Sequence, residues 1–307
     1  MRLFIIALSF FMIFSCSSAP KQAEGVVETK NKAAEYAGYG NEKFEAAQYD
    51  QALKFFNLAL DYNITVDNEP GIADSYNSVG KVYMRVGDLN AARDYFQKAL
   101  QISEKIEDMV LISQCRNNLG ETYLFEEDVE KALECFRSAL ELPEKKSKEI
   151  LTLQAIIFNN IGIVYKKLGD YEQALDYLNR SIEINKKYKK NEELATNYYM
   201  IAGVQSKQGL FDDAVESALL ALETDKKIEN SPNIAKDLFA LGLICQNADK
   251  YDEAYDYFRK SYMIYERLNL PSEMKKALAY MLEYHQEKGN ESEYNEYKRI
   301  MNILENY

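Results

Sequence analysis

Residues 83–92 read Tyr-Met-Arg-Val-Gly-Asp-Leu-Asn-Ala-Ala, and residues 165–174 read Tyr-Lys-Lys-Leu-Gly-Asp-Tyr-Glu-Gln-Ala. In both, a Gly-Asp pair stands between an aromatic residue and an alanine. Glycine tolerates the left-handed conformation that ends a helix. Aspartate accepts hydrogen bonds from the free N–H groups that begin the next one. Asp170 and Gln173 have the spacing of a capping box. The stretch therefore predicts two helices joined by a tight turn, with Gly87, Gly169 and Gly209 at such turns.

The same register extends through most of the chain. Aligned on a small residue, units start at Ala33, Ala73, Ser113, Ala155, Ala195, Ala235 and Lys275, forty residues apart except for one interval of forty-two. The eighth position holds Gly40, Gly80, Gly120, Gly162, Ala202 and Gly242, and the twentieth holds Ala52, Ala92, Ala132, Ala174, Ala214 and Ala254. The twenty-fourth holds Phe56, Phe96, Phe136, Leu178, Ala218 and Phe258. Positions 4, 7, 8 and 11 share one face of a first helix, and positions 17, 20, 24 and 27 one face of a second. Small residues let the two backbones approach, and aromatic residues fill the space between hairpins. The last unit departs from the pattern, with Leu282, Tyr294 and Lys298 at positions 8, 20 and 24. Polar Glu291 and Lys298 suit a terminal hairpin that must face water.

This pattern resembles the tetratricopeptide repeat family, whose common unit has 34 residues. The longer unit is similar to the kinesin-light-chain type, and the Gly/Ala/aromatic placement argues against HEAT repeats. The resemblance implies an all-α, right-handed superhelical solenoid of about seven antiparallel helix-turn-helix hairpins over residues 33–307. It also implies a concave surface formed by first helices, with positions 2, 5, 6, 9 and 12 facing inward. Those positions include Asn41, Asn77, Lys81, Gln114, Asn117, Asn118, Asn159, Asn160 and Lys166, which become the expected peptide-binding residues. Asparagine recurs at 77, 117 and 159, and a ladder of amides can pair with the backbone of an extended peptide. The same amides can instead bond neighbouring helices and set their stacking. Both readings stand at this level.

The start of the chain reads as an address. Arg2 is followed by an uncharged apolar run from Leu3 to Phe14, about 18 Å long as a helix and too short for a usual bilayer crossing. Ser15-Cys16 then resembles a bacterial lipoprotein signal, with Phe14 larger than that signal usually holds. The resemblance implies removal of residues 1–15 and lipidation of Cys16. Cleavage at Ser17-Ser18-Ala19 as an ordinary signal peptide, or retention as an anchor, are the competing readings. Residues 16–32 are expected to be a flexible tether. The expected location is the bacterial cell envelope, on the outer membrane facing the periplasm rather than the inner membrane, with a secreted or periplasmic soluble form as the alternative.

Composition narrows the function. The chain has 5 prolines and 13 glycines, too few for the dense turns of a sandwich or barrel. Its formal net charge of -12 repels nucleic-acid phosphates. One histidine and scattered cysteines offer no metal-ligand spacing, and Cys115, Cys135 and Cys245 read as helix-buried thiols. His285 stands at the eleventh position of its unit, where an aromatic residue packs. No nucleophile–base–orienter spacing or glycine-rich phosphate loop is present. The expectation is a non-catalytic scaffold without cofactor or metal, capturing a protein or peptide in its groove and reaching the membrane through its lipid. The alternative is a transport accessory that docks a periplasmic solute-binding protein or passes on a small ligand.

Overall fold

The computed structural model describes residues 24–141 and 147–305, which form fourteen α-helices and no strand. First helices are α1 (Glu24–Glu45), α3 (Glu69–Val86), α5 (Met109–Phe125), α7 (Lys148–Leu168), α9 (Asn191–Lys207), α11 (Ser231–Asn247) and α13 (Pro271–Lys288). Second helices are α2 (Tyr49–Thr65), α4 (Leu89–Lys105), α6 (Val129–Ala139), α8 (Tyr171–Tyr188), α10 (Phe211–Lys227), α12 (Tyr251–Arg267) and α14 (Glu291–Glu305). They form seven hairpins stacked in chain order, each packing on its neighbours. That is a solenoid.

Local chemistry sets the helix ends. Asp88, Asp128 and Asp170 accept from the backbone N–H three residues on, at 3.0, 3.2 and 3.2 Å. Between hairpins, Asp108, Ser147 and Asn230 cap α5, α7 and α11 in the same way. Gly87 and Gly169 take the left-handed conformation at φ 88° and 79°. Glu107, Glu127, Glu229, Asp249 and Asn269 take it without being glycine. Each such residue costs about 1–2 kcal/mol, so glycine alone marks only part of the turns.

Closure of each hairpin depends on a close approach. A β-carbon built on Gly40, Gly80, Gly120, Gly162 or Gly242 would sit 2.5–2.7 Å from the side chain at position 24 of the same hairpin. Those side chains are Phe56, Phe96, Phe136, Leu178 and Phe258, all at most 2% exposed. In the fifth hairpin the sizes are exchanged. Ala202 has a β-carbon, and Ala218 in the same core has no ring to collide with it.

First helices also touch the first helix of the next hairpin, from α1 through α11, and among the described residues no comparable contact joins successive second helices. The first helices therefore lie on the inner, shorter arc, and the second helices are splayed on the outer one. α14 fully buries no side chain, while Tyr297, Ile300, Met301 and Leu304 lean on the core beneath. Glu291 and Lys298 face solvent, as a cap requires.

One boundary differs from expectation. The first helix begins at Glu24 rather than Ala33, so residues 24–32 are helical and not a flexible tether. Lys32 and Glu28 pair at 3.0 Å across one turn of it, although Gly25, Val26, Val27 and Thr29 are weak helix formers. Residues 1–23, including the signal segment and Cys16, lie outside the described residues.

Gly80→Ala should destabilise the chain by about 1–3 kcal/mol through overpacking against Phe96, read from urea unfolding midpoints. Adding Phe96→Ala recreates the size relation of the fifth hairpin, so the double change should cost less than the two single changes summed. Strict additivity would show that the contact does not constrain closure.

Candidate functional site

The structure divides the expected site residues into two groups. Asn77, Asn117, Asn118 and Asn160 are 2%, 3%, 6% and 7% exposed. Asn41 and Lys81 are exposed, and Gln114, Asn159 and Lys166 are half-buried. All lie on first helices.

The buried amides are turned on one another. Asn118 donates through Nδ2 to Asn77 Oδ1 at 2.7 Å, joining α5 to α3. Asn160 donates to Asn117 Oδ1 at 2.9 Å and to Glu121 Oε1 at 3.1 Å, joining α7 to α5. Asn197 donates to Asn159 Oδ1 at 2.9 Å, joining α9 to α7. These bonds stitch four successive first helices, which is the stacking role of the amide repeat. A buried polar group needs such a partner, because leaving it unpaired costs about 1–3 kcal/mol. The ladder is a rigid floor.

Above the floor are groups free to meet a ligand. Lys81, Gln114 and Ile156 border a cleft of about 260 Å3 that runs across α3, α5 and α7. Farther along, Tyr199, Lys236, Phe239 and Tyr265 border a second cleft of about 460 Å3. Lys236 Nζ lies 4.2 Å from the Tyr199 ring centroid, a cation–π distance. The ammonium of Lys166 rests over Gly203 of α9, in the space a side chain there would take. Burial lowers the Lys166 pKa, and the charges of Lys207 and Lys236 lower it further. Lys166, Lys207 and Lys236 thus make one end of this face locally basic in an acidic protein.

Sequence reasoning missed Tyr199, Lys207, Lys236 and Asn197. Tyr199 stands at the fifth position, the same register that holds Asn77, Asn117 and Asn159, so the signal was present. Asn197 and Lys207 occupy positions 3 and 13, outside the inward set, and only their contacts reveal them.

Beneath the basic end lies a pair of acids. Asp225, near the end of α10, and Asp237, on α11, are each 2% exposed. The corresponding joints elsewhere hold neutral pairs, Asn63 with Ser75 at 3.2 Å and Asn185 with Asn197 at 2.8 Å. Burial, then the charge of Asp225 and the hydrogen bond to it, pushes the Asp237 pKa up to about 8, against the opposing charge of Lys236. Burial also raises Asp225, while hydrogen bonds from Asp237 and Asn233 and the charge of Lys236 pull it back. Asp237 is therefore the carboxyl that keeps its proton into the neutral range in the folded chain.

Other titratable groups have structural surroundings. Cys115 is buried, and desolvation pushes its thiol up to about 12, so it is no nucleophile. Cys245 is also buried and Cys135 half-buried. His285 is 5% exposed among Tyr255, Tyr284 and Tyr297, and burial lowers its pKa. Among the described residues, no group of three or more His, Cys, Asp or Glu side chains converges. No described helix is long and apolar enough to cross a membrane.

An unfolded aspartate releases its proton near pH 3.9. The folded chain holds one at Asp237 up to about pH 8. Folding therefore takes up a proton between these values, and stability should fall as pH rises through that window. Asp237→Asn should flatten the decline between about pH 5 and pH 8, read from urea midpoints across that range. An unchanged slope in the variant would assign the pH dependence to other groups.

Comparison with known proteins agrees with this architecture. The tetratricopeptide repeat profile matches residues 71–145, 153–227 and 193–267. Tetratricopeptide repeat protein 29 of Trypanosoma brucei brucei is 24% identical over 128 residues, covering 41% of this chain and 27% of that protein. This chain thus spans about a quarter of that relative's length. Aspartyl phosphate phosphatase F from Bacillus subtilis superposes with a TM-score of 0.66 at 18% identity, over 92% of this chain and 73% of that one. The Rap conjugation gene regulator of plasmid pLS20, solved in complex with the Phr peptide, gives 0.65 at 20% identity, over 94% and 78%. At such identities the solved structures establish a shared fold. The chain belongs to the tetratricopeptide repeat family.

Proposed function

We propose that this member of the tetratricopeptide repeat family is a non-catalytic scaffold. It holds a protein or extended peptide against its first-helix face, at a bacterial membrane to which a lipidated Cys16 ties it. The amide ladder carries this reading. It satisfies its own buried amides within the protein and leaves Lys81 and Gln114 at the edge of a cleft. A floor fixed in advance lowers the ordering cost of capture. Side-chain amides and ammonium groups above it can pair with peptide carbonyls and carboxylates, while Ile156, 41% exposed, offers an apolar contact.

The Rap regulator with its bound peptide supports the peptide assignment by analogy of fold. Sequence order supports the anchor: Arg2, the apolar run Leu3–Phe14, then Ser15-Cys16. Several acyl chains on one cysteine would hold firmly, since each buried methylene contributes about 0.8 kcal/mol. No cofactor, metal or nucleic acid enters this function.

A photo-crosslinking residue placed at Gln114 in cells should trap a protein partner. Replacing Lys81, Gln114 and Lys166 together with alanine should reduce capture, scored by a crosslinker at Asn41, about tenfold. The thermal melt should stay nearly unchanged, because none of the three belongs to the amide ladder that joins the helices. Undiminished capture would remove the groove from the function. Separately, Cys16→Ser should abolish acyl labelling and release the protein from the membrane fraction, whereas a membrane-bound variant would overturn the anchor.

A further inference from the structure

The splayed second helices leave a surface that the groove does not use. Between α10 and α12 lies an open cleft of about 560 Å3. Leu219 and Leu222 form one wall, Met263 and Ile264 the other, and Leu238 of α11 the floor. Lys226, Lys260 and Arg267 stand around this apolar strip, and no carboxylate lines it.

The repeat supplies its own control. At the position of Leu219 the other hairpins hold Asn57, Gln97, Arg137, Asn179 and Arg259. At that of Met263 they hold Asp61, Gln101, Glu141, Glu183 and Glu223. Among the six regular hairpins each position is apolar only here, the degenerate last hairpin holding Arg299 and Ile303, and Leu219 and Met263 are 43% and 47% exposed. The hairpin fold therefore does not require these two side chains. Exposed apolar groups gathered in one cleft mark an interaction surface.

Shape and charge specify the occupant. Lining residues run from Tyr257 to Arg267 along α12, about 15 Å of helix. An elongated groove between two helices accepts the apolar stripe of a third. Lys226 and Arg267 complement the dipoles at the ends of their own helices. Lys260 lies mid-helix, its Nζ 5.4 Å from the ring centroid of Tyr257, which lines the same cleft. Nearby acids are engaged elsewhere, Glu223 with Lys227 at 2.9 Å and Glu266 with Tyr262 at 3.2 Å. The rim is thus a field of one sign in a protein of the opposite sign.

We propose that the cleft between α10 and α12 docks an amphipathic helix of a partner protein, apolar along one stripe and acidic on its flanks. It lies on the outer arc and does not rest on the groove reading.

The test uses the full chain and two synthetic helices of about four turns. Both carry the same leucine stripe; one is flanked by glutamate and its twin by lysine. By fluorescence anisotropy the acidic helix should bind about tenfold tighter than its twin and weaken with added salt. Leu219→Asn with Met263→Glu installs residues that other hairpins already carry. It should lower binding about tenfold without moving the thermal midpoint. Reversing Lys226, Lys260 and Arg267 to glutamate should invert the preference between the twins. Equal binding of the twins, or native binding by the double variant, would overturn the proposal. So would a dimer in sedimentation that the double variant dissolves, since the occupant would then be a second copy.

Discussion

A glycine lying against a large side chain is the contact on which the rest of the molecule depends. In five hairpins the first helix carries no side chain at position 8, and the second fills that space with phenylalanine or leucine. The pair works as a sum of volumes. Ala202 and Ala218 show this, because a methyl group gained on one helix accompanies a ring lost on the other. Protein interiors tolerate exchange that conserves volume better than added bulk. With the helix separation set inside each hairpin, the hairpins become similar bricks that stack in one direction.

Stacking then creates joints, and their polar chemistry varies more than the apolar closure does. Along the inner arc the joints are amide ladders, each member paired across two helices. Neutral pairs at other joints need no proton. The Asp225–Asp237 joint does, because two buried carboxylates cannot both ionise at close range without a large penalty. That joint lies under the basic end of the groove, beside Lys236 and Tyr199. Stability and groove electrostatics are coupled there.

The inner and outer arcs offer different kinds of surface. Closely spaced first helices form a continuous polar floor with a few exposed cations and apolar side chains, suited to a segment lying across several hairpins. Separated second helices form discrete clefts, and one is apolar with a cationic rim. A protein with both surfaces can engage two segments at once. Repeat periodicity explains where such surfaces occur, and departures from it explain how their chemistry differs.

The sequence by itself determined the helical hairpin, its forty-residue period, the helix start at Asp170 and the degenerate last unit. These follow from spacing and local backbone chemistry, which neighbouring residues settle among themselves. It also placed the amides on the inner helices, but not whether they faced a ligand or one another. A donor on α5 meets an acceptor on α3 only once the hairpins have stacked, and the superhelical pitch decides that meeting. The same is true of the carboxyl pair and of Lys166 over Gly203, whose partners lie on other helices. Residues 24–32 lacked apolar periodicity and strong helix formers and so read as tether, although α1 extends through them with Glu28 and Lys32 paired on its surface. Tertiary structure decided which side chains were left for a partner, because burial and pairing across helices are properties of the stack and not of any one repeat.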